Sequence, residues 1–406
     1  MITMCILLAA VALAAGGCWE EPRLTGDGRT DDTAAIQSLI DSGRSCVYLP
    51  PPQREYVISR PLRMRSGTEL RLDRMSRVRL KPGSSCPMVE NLNWKTGDKD
   101  IAVTGGIWDY DNVNQGPNLL FSDKSPKSFE RDFPLGCIFR FDGVDRLSVR
   151  GVTFRNPTTY SCQLTRVSHF TVEDISFDFD KWNPKPLNMD GIHLDGGCHH
   201  GRIANLRGTC FDDMVALNAN DGICAAYEGP ITDIDIDGLY SEYTHRGVRI
   251  LSTGAWIDGI SIRNIHIRTY RNAVAITHFF PKRKERGRFG GIVVRDCSAS
   301  AVAAPEKSME HVSPMVWVEG GCDIEQLIID NFNRTERTSS AAPTIRVDAG
   351  AKISRMEVRN CRQRNETAGP LVFLEQNGTI GRIDLDDPVL EVSPGAGENI
   401  ARMPSF

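Results

Sequence analysis

The sequence predicts an all-β solenoid, a parallel β-helix, because a short apolar pattern returns at a near-constant interval. The pattern, apolar-x-apolar-x-(Gly/Asp/Asn)-apolar-x-apolar, stands at 147–154 (LSVRGVTF), 170–177 (FTVEDISF), 234–239 (IDIDGL), 260–267 (ISIRNIHI), 327–332 (LIIDNF) and 356–361 (MEVRNC), with looser copies at Val103, Ile203, Val294 and Ile383. Between equivalent residues, Val149 to Val172 is 23 residues, Ile236 to Ile262 is 26 and Ile329 to Val358 is 29. Periods of this size mark stacked repeat units. The second observation is a companion set of strands between the copies, at 162–164 (CQL), 192–194 (IHL), 215–217 (VAL), 248–250 (VRI) and 274–276 (VAI), whose middle residues face outward on one wall. Third, 40% hydrophobic content and 36 glycines suit a turn-rich chain, and a continuous repeat makes one elongated domain of the 406 residues.

Each copy reads as two strands joined by a tight polar turn, where Gly, Asn or Asp takes a left-handed backbone angle at low cost. Alternation gives each strand one apolar face, and such strands bury it only by stacking on one another. At the N-terminus, residues 1–18 are expected to be a signal peptide. Met1 to Gly17 is apolar, uncharged and too short to span a bilayer, and Ala15-Gly16-Gly17-Cys18 resembles a lipoprotein processing site that would place a lipid anchor on Cys18. A secreted, periplasmic or cell-surface location follows. A Gly-Asp-Gly turn at 26–28 then leads to a helix with its N-cap at Asp31 and an amphipathic run to Ile40. This N-terminal capping helix is expected to plug the open end of the coil, where core and strand edges are otherwise bare. The β-helix domain is expected over 26–390, with 391–406 as a C-terminal tail.

Setting Cys5 and Cys18 aside leaves 10 of the 12 cysteines. They show no CxxC or metal-ligand spacing, and Cys162, Cys297 and Cys361 fill apolar repeat slots, so buried thiols are expected although export permits disulfides. A formal charge of −4 is too small to announce a partner. No metal, cofactor or nucleic-acid partner is expected, and the chain is expected to be a monomer.

The companion strands carry the chemistry. Aligning 192–194 with 215–217 sets Asp190 level with Asp213 and Met189 level with Asp212. In a stacked coil that separation is one strand spacing, roughly 4.8 Å. Three carboxylates so close repel one another and spread their pKa values, which suits acid–base work. The outward column reads Gln163, His193, Ala216, Arg249, Ala275, and a neighbouring column reads Asp190, Asp213, Arg246, Asn272. A plainer reading makes Asp190 and Asp213 turn residues and Arg249 the structural ion-pair partner of one of them. His199 and His200 fall in a turn and are expected to face solvent.

Asn188-Met189-Asp190-Gly191, Asp212-Asp213 and Gly247-Val248-Arg249-Ile250 resemble the Asn-Thr-Asp-Gly, Asp-Asp and Gly-Val-Arg-Ile-Lys signatures of glycoside hydrolase family 28, the polygalacturonase family. The resemblance covers about Gly26 to Ile276, and the Gly-Asp-Gly start is similar to that of pectin-lyase-like β-helices. It implies a single-stranded right-handed parallel β-helix and an inverting glycosidase acting on an acidic, pectin-type polysaccharide. By it Asp212 is the general acid, Asp190 and Asp213 hold and activate the attacking water, and Arg249 binds a substrate carboxylate. Inversion needs room for that water, with acid and base carboxyls about 6.5–9.5 Å apart.

Two features depart from the family. Its lysine after the matching arginine is Leu251 here, and its Gly-His-Gly motif is absent from the 36 residues separating Asp213 from Arg249, so a coil is missing. His193 and His245 are the nearest substitutes, His245 reaching Asp212 only through a bend at Thr244. With Arg246 and Tyr160 they join Arg249 as candidate substrate-binding residues. Tyr160, and Trp182 in an insertion at 180–187, are candidates to stack on sugar rings. The run from Pro281 to Arg288 holds five cations, Lys282, Arg283, Lys284, Arg286 and Arg288, which suits an anionic polysaccharide as well as a solvated loop. Two rivals stand beside hydrolysis: a polysaccharide lyase on the same scaffold using Arg246 or Arg249, typically with calcium, and a non-catalytic glycan-binding β-helix.

Overall fold

The computed structural model describes residues 23–117, 136–181, 188–220, 227–278, 285–304, 313–338 and 342–403. The expected signal segment with Cys18, Trp182 and the cations Lys282, Arg283 and Lys284 lie outside them. Among the described residues the strands pair in parallel, each with the equivalent strand one coil away. Val149 is level with Val172, and the same column runs on through Ile203, Ile236, Ile262, Val294, Ile329 and Val358. The sequence repeat is therefore the physical stack, with its marker residues buried in one continuous core. Each such side chain contributes about 1.5–3 kcal/mol by leaving water.

The polar turns hold the coil's corners. Asp174, Asn205, Gly238, Asn264, Asp296, Asn331 and Asn360 occupy equivalent positions, and all have positive φ, from 54° to 85°. Their side chains also bond along the stack: Asn205 Nδ2 donates to Asp174 Oδ1 (3.2 Å), Asn331 Nδ2 to Asp296 Oδ1 (2.9 Å) and Asn360 Nδ2 to Asp330 Oδ1 (2.8 Å).

The capping helix spans Thr33–Asp41 and sets Ile36 and Ile40 into the core. Its N-cap is Asp32 rather than the expected Asp31. The buried Asp32 carboxylate faces away from the helix and accepts the N–H groups of Thr25 (2.7 Å) and Gly26 (3.1 Å), while Asp31 Oδ1 accepts the Thr33 N–H (3.0 Å). The ladder also runs past the boundary expected at residue 390. Val389–Val392 pairs with Arg362–Asn365 and Asn399–Met403 with Leu371–Gln376, so 391–403 belongs to the coil. Final rungs face solvent on one side, which dilutes the apolar pattern that would mark them. Nine free cysteines are described, seven of them buried. Among the described residues no helix is long and apolar enough to cross a membrane.

Candidate active site

One wall of the coil stacks Phe139–Asp142, Cys162–Thr165, Ile192–Asp195 and Asp213–Asn220, continued by the later parts of Ile231–Ser252 and Trp256–Thr277. Cys162, Ile192, Val215, Val248 and Val274 point inward, and the alternate residues form an outward column in the expected register: Gln163, His193, Ala216, Arg249, Ala275. Asp213, Arg246 and Asn272 are likewise level on successive rungs. Asp190 is tied to the next rung by two bonds, Gly191 N–H to Asp213 O (2.8 Å) and Asp213 N–H to Asp190 Oδ1 (3.2 Å). Glycine is needed between them, since a Cβ at Gly191 would stand 2.4 Å from Met214 O.

His245 arrives by a bulge. The register of its strand shifts between Ser241 and Thr244 and again between Thr244 and Arg246, and bulges re-aim side chains in this way. His245 Nδ1 ends 2.8 Å from Asp212 Oδ1. Asp213 is clamped between guanidiniums, with Arg246 Nη1 2.9 Å from Oδ1 and Arg249 Nε 2.9 Å from Oδ2. Arg246 Nη1 also lies 3.4 Å from Asp212 Oδ1, and its Nε donates to Asn272 Oδ1 (3.2 Å). The Asn188 N–H donates to Asp212 Oδ2 (3.1 Å).

These surroundings pull the carboxyls apart. Burial, reinforced by the charges of Asp212 and Asp213, pushes Asp190 up to about 6 even though its bond to His193 pulls the other way. Burial also works against an ionised Asp212, but His245, Arg246 and Arg249 outweigh it and hold that carboxyl below its ordinary range. His193 lies between two carboxylates, Nδ1 2.7 Å from Asp190 Oδ2 and Nε2 3.3 Å from Asp195 Oδ1. Burial opposes its charge, yet the two acids raise it to about 9. His245 is pushed down by burial and by Arg246. Access differs as sharply: Asp190 and Asp213 are 1% and 0% exposed, while the Asp212 and His245 side chains each keep 14%. Asp212 is the carboxyl a ligand can reach.

Asp190, His193, Asp212, Asp213, His245, Arg246, Arg249 and Tyr160 thus come together on this wall, and Arg249 has the ion-pair role that the plainer reading gave it. Tyr160 does not present a free face: it is buried and stacks on His193, ring centroids 3.8 Å apart. Asp195 was missed. Its Oδ2 accepts from Gln163 Nε2 (2.7 Å) and Thr165 Oγ1 (2.8 Å), and its signal was the alternate position after His193 on an outward-facing strand. Tyr270 was missed too, its ring 5.0 Å from His245. Arg286 and Arg288, the described cations of the basic run, are engaged elsewhere. Arg286 pairs with Asp323 (2.7 Å) and Arg288 lies over the Trp256 ring, lining a groove of about 730 Å³.

The ligand atoms of Asp212, Asp213 and His245 lie within 4.8 Å of one another, as for a metal ion. The set fits a dication poorly, because Arg246 and Arg249 already supply the positive charge that the two carboxylates call for.

No protein-family model matches the chain, and no curated protein matches it. Among solved structures it is similar to the Streptococcus pneumoniae surface protein and adhesin PfbA, with 15% identity, a TM-score of 0.60, and coverage of 93% of this chain and 98% of that one. It is similar to the family 28 exopolygalacturonase of Yersinia enterocolitica, with 15% identity, a TM-score of 0.62, and coverage of 92% and 76%. The A-module of the Azotobacter vinelandii mannuronan C-5 epimerase AlgE4 aligns with 12% identity, a TM-score of 0.57, and coverage of 93% and 97%. Through this likeness and its own strand register, the chain has the right-handed parallel β-helix fold.

Proposed function

We propose that the chain is an exported glycoside hydrolase that cleaves a uronate-containing, pectin-type polysaccharide with inversion. One observation carries the reading: a reachable carboxyl, Asp212, stands in front of buried Asp190 and Asp213, with their environments forcing the first two to ionise at different pH. Paired acids whose pKa values are driven apart are the usual mark of divided acid and base roles. Asp212 donates the proton to the leaving oxygen, and Asp190 with Asp213 holds the water. In the free protein Asp212 is held ionised by the cations around it. A substrate carboxylate seated on Arg249 brings negative charge beside Asp212 and raises its pKa, so the acid is armed by the substrate. His245, 2.8 Å away, shares that proton.

The burial of Asp190 and Asp213 favours one alternative, a glycan-binding wall whose ion pairs are structural. The adhesin among the structural neighbours is in keeping with it. Reducing-end release from pectic, rhamnogalacturonan and arabinan substrates separates the readings. Hydrolysis is expected on an acidic substrate and at least about 10³-fold less in Asp190→Asn and Asp212→Asn. A wild type that binds these glycans and releases nothing supports the non-catalytic wall. An unsaturated, ultraviolet-absorbing product would indicate the lyase.

A further inference from the structure

We infer that His169, His199 and His200 form a surface site for a first-row divalent metal ion such as Zn²⁺, at a corner of the coil that the glycan site does not use. The three residues belong to two adjacent rungs. Ser168 is level with His199 and Phe170 with Gly201, so His169 and His200 stand one above the other. Both have left-handed backbone angles, φ 50° and 54°, and their rings stack with centroids 5.1 Å apart. His199 closes the group from the side, its ring centroid 5.9 Å from that of His169. Its Nδ1 is 2.7 Å from Nδ1 of His200. At Zn–N distances of about 2.0–2.1 Å, two ligands of a tetrahedral ion stand about 3.3 Å apart. A small opening of this nitrogen pair therefore admits the ion.

The carboxylates beside the cluster prepare the remaining nitrogens. Asp145 Oδ1 lies 2.7 Å from His169 Nδ1, which keeps the proton there and the lone pair on Nε2. Asp233 Oδ2 lies 3.9 Å from His200 Nε2, the ring nitrogen that does not face His199. Metal-bound histidines commonly hold their second nitrogen against a carboxylate in this manner. One of the two facing Nδ1 atoms carries the proton of the present contact, and that proton moves to Nε2 of the same ring when the ion takes its place. His169 is 55% exposed along its side chain, and its ring must turn to bring Nε2 to the ion as the third ligand, which leaves the fourth position to water. Imidazole ligands select Zn²⁺, Cu²⁺ or Ni²⁺ over oxygen-seeking Ca²⁺ and Mg²⁺. The bound ion would staple two rungs together.

The test is calorimetric titration of the chelator-treated full chain with Zn²⁺ alone at neutral pH, beside Ca²⁺ as a control. One Zn²⁺ per chain is expected, with Asp145→Asn weakening binding by about 10-fold and a His199→Ala, His200→Asn double variant abolishing it. Asparagine tolerates the backbone angle at 200, and the unfolding temperature of the metal-free variants checks that they fold. Independently of any variant, Co²⁺ added to the wild type should shift the ring resonances of His169, His199 and His200 first. Absence of saturable Zn²⁺ binding, binding that survives the double variant, or binding lost only in His245→Ala would overturn the assignment.

Discussion

At Asp190, burial and ionisation are in direct conflict, and His193 settles how far each prevails. With Asp190 in the water-holding role, kcat/KM is expected to rise as pH climbs through about 6, where this carboxyl ionises. His193→Gln removes a group that lowers the Asp190 pKa, so the acid limb of the profile should move upward by about one pH unit or more. A limb that stays in place contradicts the coupling. The same pair predicts a stability effect of definite sign. His193 is raised from 6.5 to about 9 on folding, so the stability it contributes is full below 6.5 and is lost as pH rises through 9. Asp190, raised from 3.8 to about 6, acts in the same direction at lower pH. Urea midpoints should therefore fall from pH 6.5 to 9 in the wild type, and the slope should flatten in His193→Gln. This relay was only half visible in the sequence. Asp190 and His193 stood out beside a strand, whereas Asp195 takes its place only through Gln163 and Thr165, a coil earlier, which donate to it.

A rung of this coil is specified by very few positions: apolar residues at alternate sites and one left-handed residue at the corner. Asn331 tests the corner, with φ 54° and an amide donated to Asp296. Asn331→Ala should destabilise by about 1 kcal/mol through the lost bond and the strained angle, whereas Asn331→Gly, which relieves the angle, should lose less. Equilibrium unfolding in urea reads both. Gly191 tests the approach of one rung to the next, because an added Cβ meets backbone. Gly191→Ala should cost about 1–3 kcal/mol and displace Asp190 from Asp213, lowering turnover as well as stability. Register was legible from sequence because alternation allows no one-residue slip without turning the core outward, and the columns from Gln163 to Ala275 stand as the spacing implied. The bulge was legible only as a condition: His245 could reach Asp212 only through a bend at Thr244, and the register shifts on both sides of that residue.

The whole molecule is a stack, so its weak points are its ends. Ile36 and Ile40 seal the first coil from inside the capping helix. Ile36→Asp should open that end, expose strand edges and shift the chain toward aggregates on size-exclusion chromatography; a variant that stays dispersed and as stable as the wild type would show the helix is not a plug. The stack was legible from its N-terminal turn to residue 390, and the last rungs were not, because Val389 and Val392 are half-exposed and stand level with Arg362 and Asn365, so no apolar column runs on into them. Length matters to function as well, since the site is assembled from rungs far apart in the chain and no single coil contains it. The account therefore rests on stacked carboxylates surrounding one sugar linkage. Proton NMR of an α-linked oligogalacturonate digest, read before mutarotation, tests this most directly. The account predicts a β-anomer as the first-formed reducing end, absent in Asp212→Asn, whereas a first-formed α-anomer, or no new reducing end from the wild type, would contradict it.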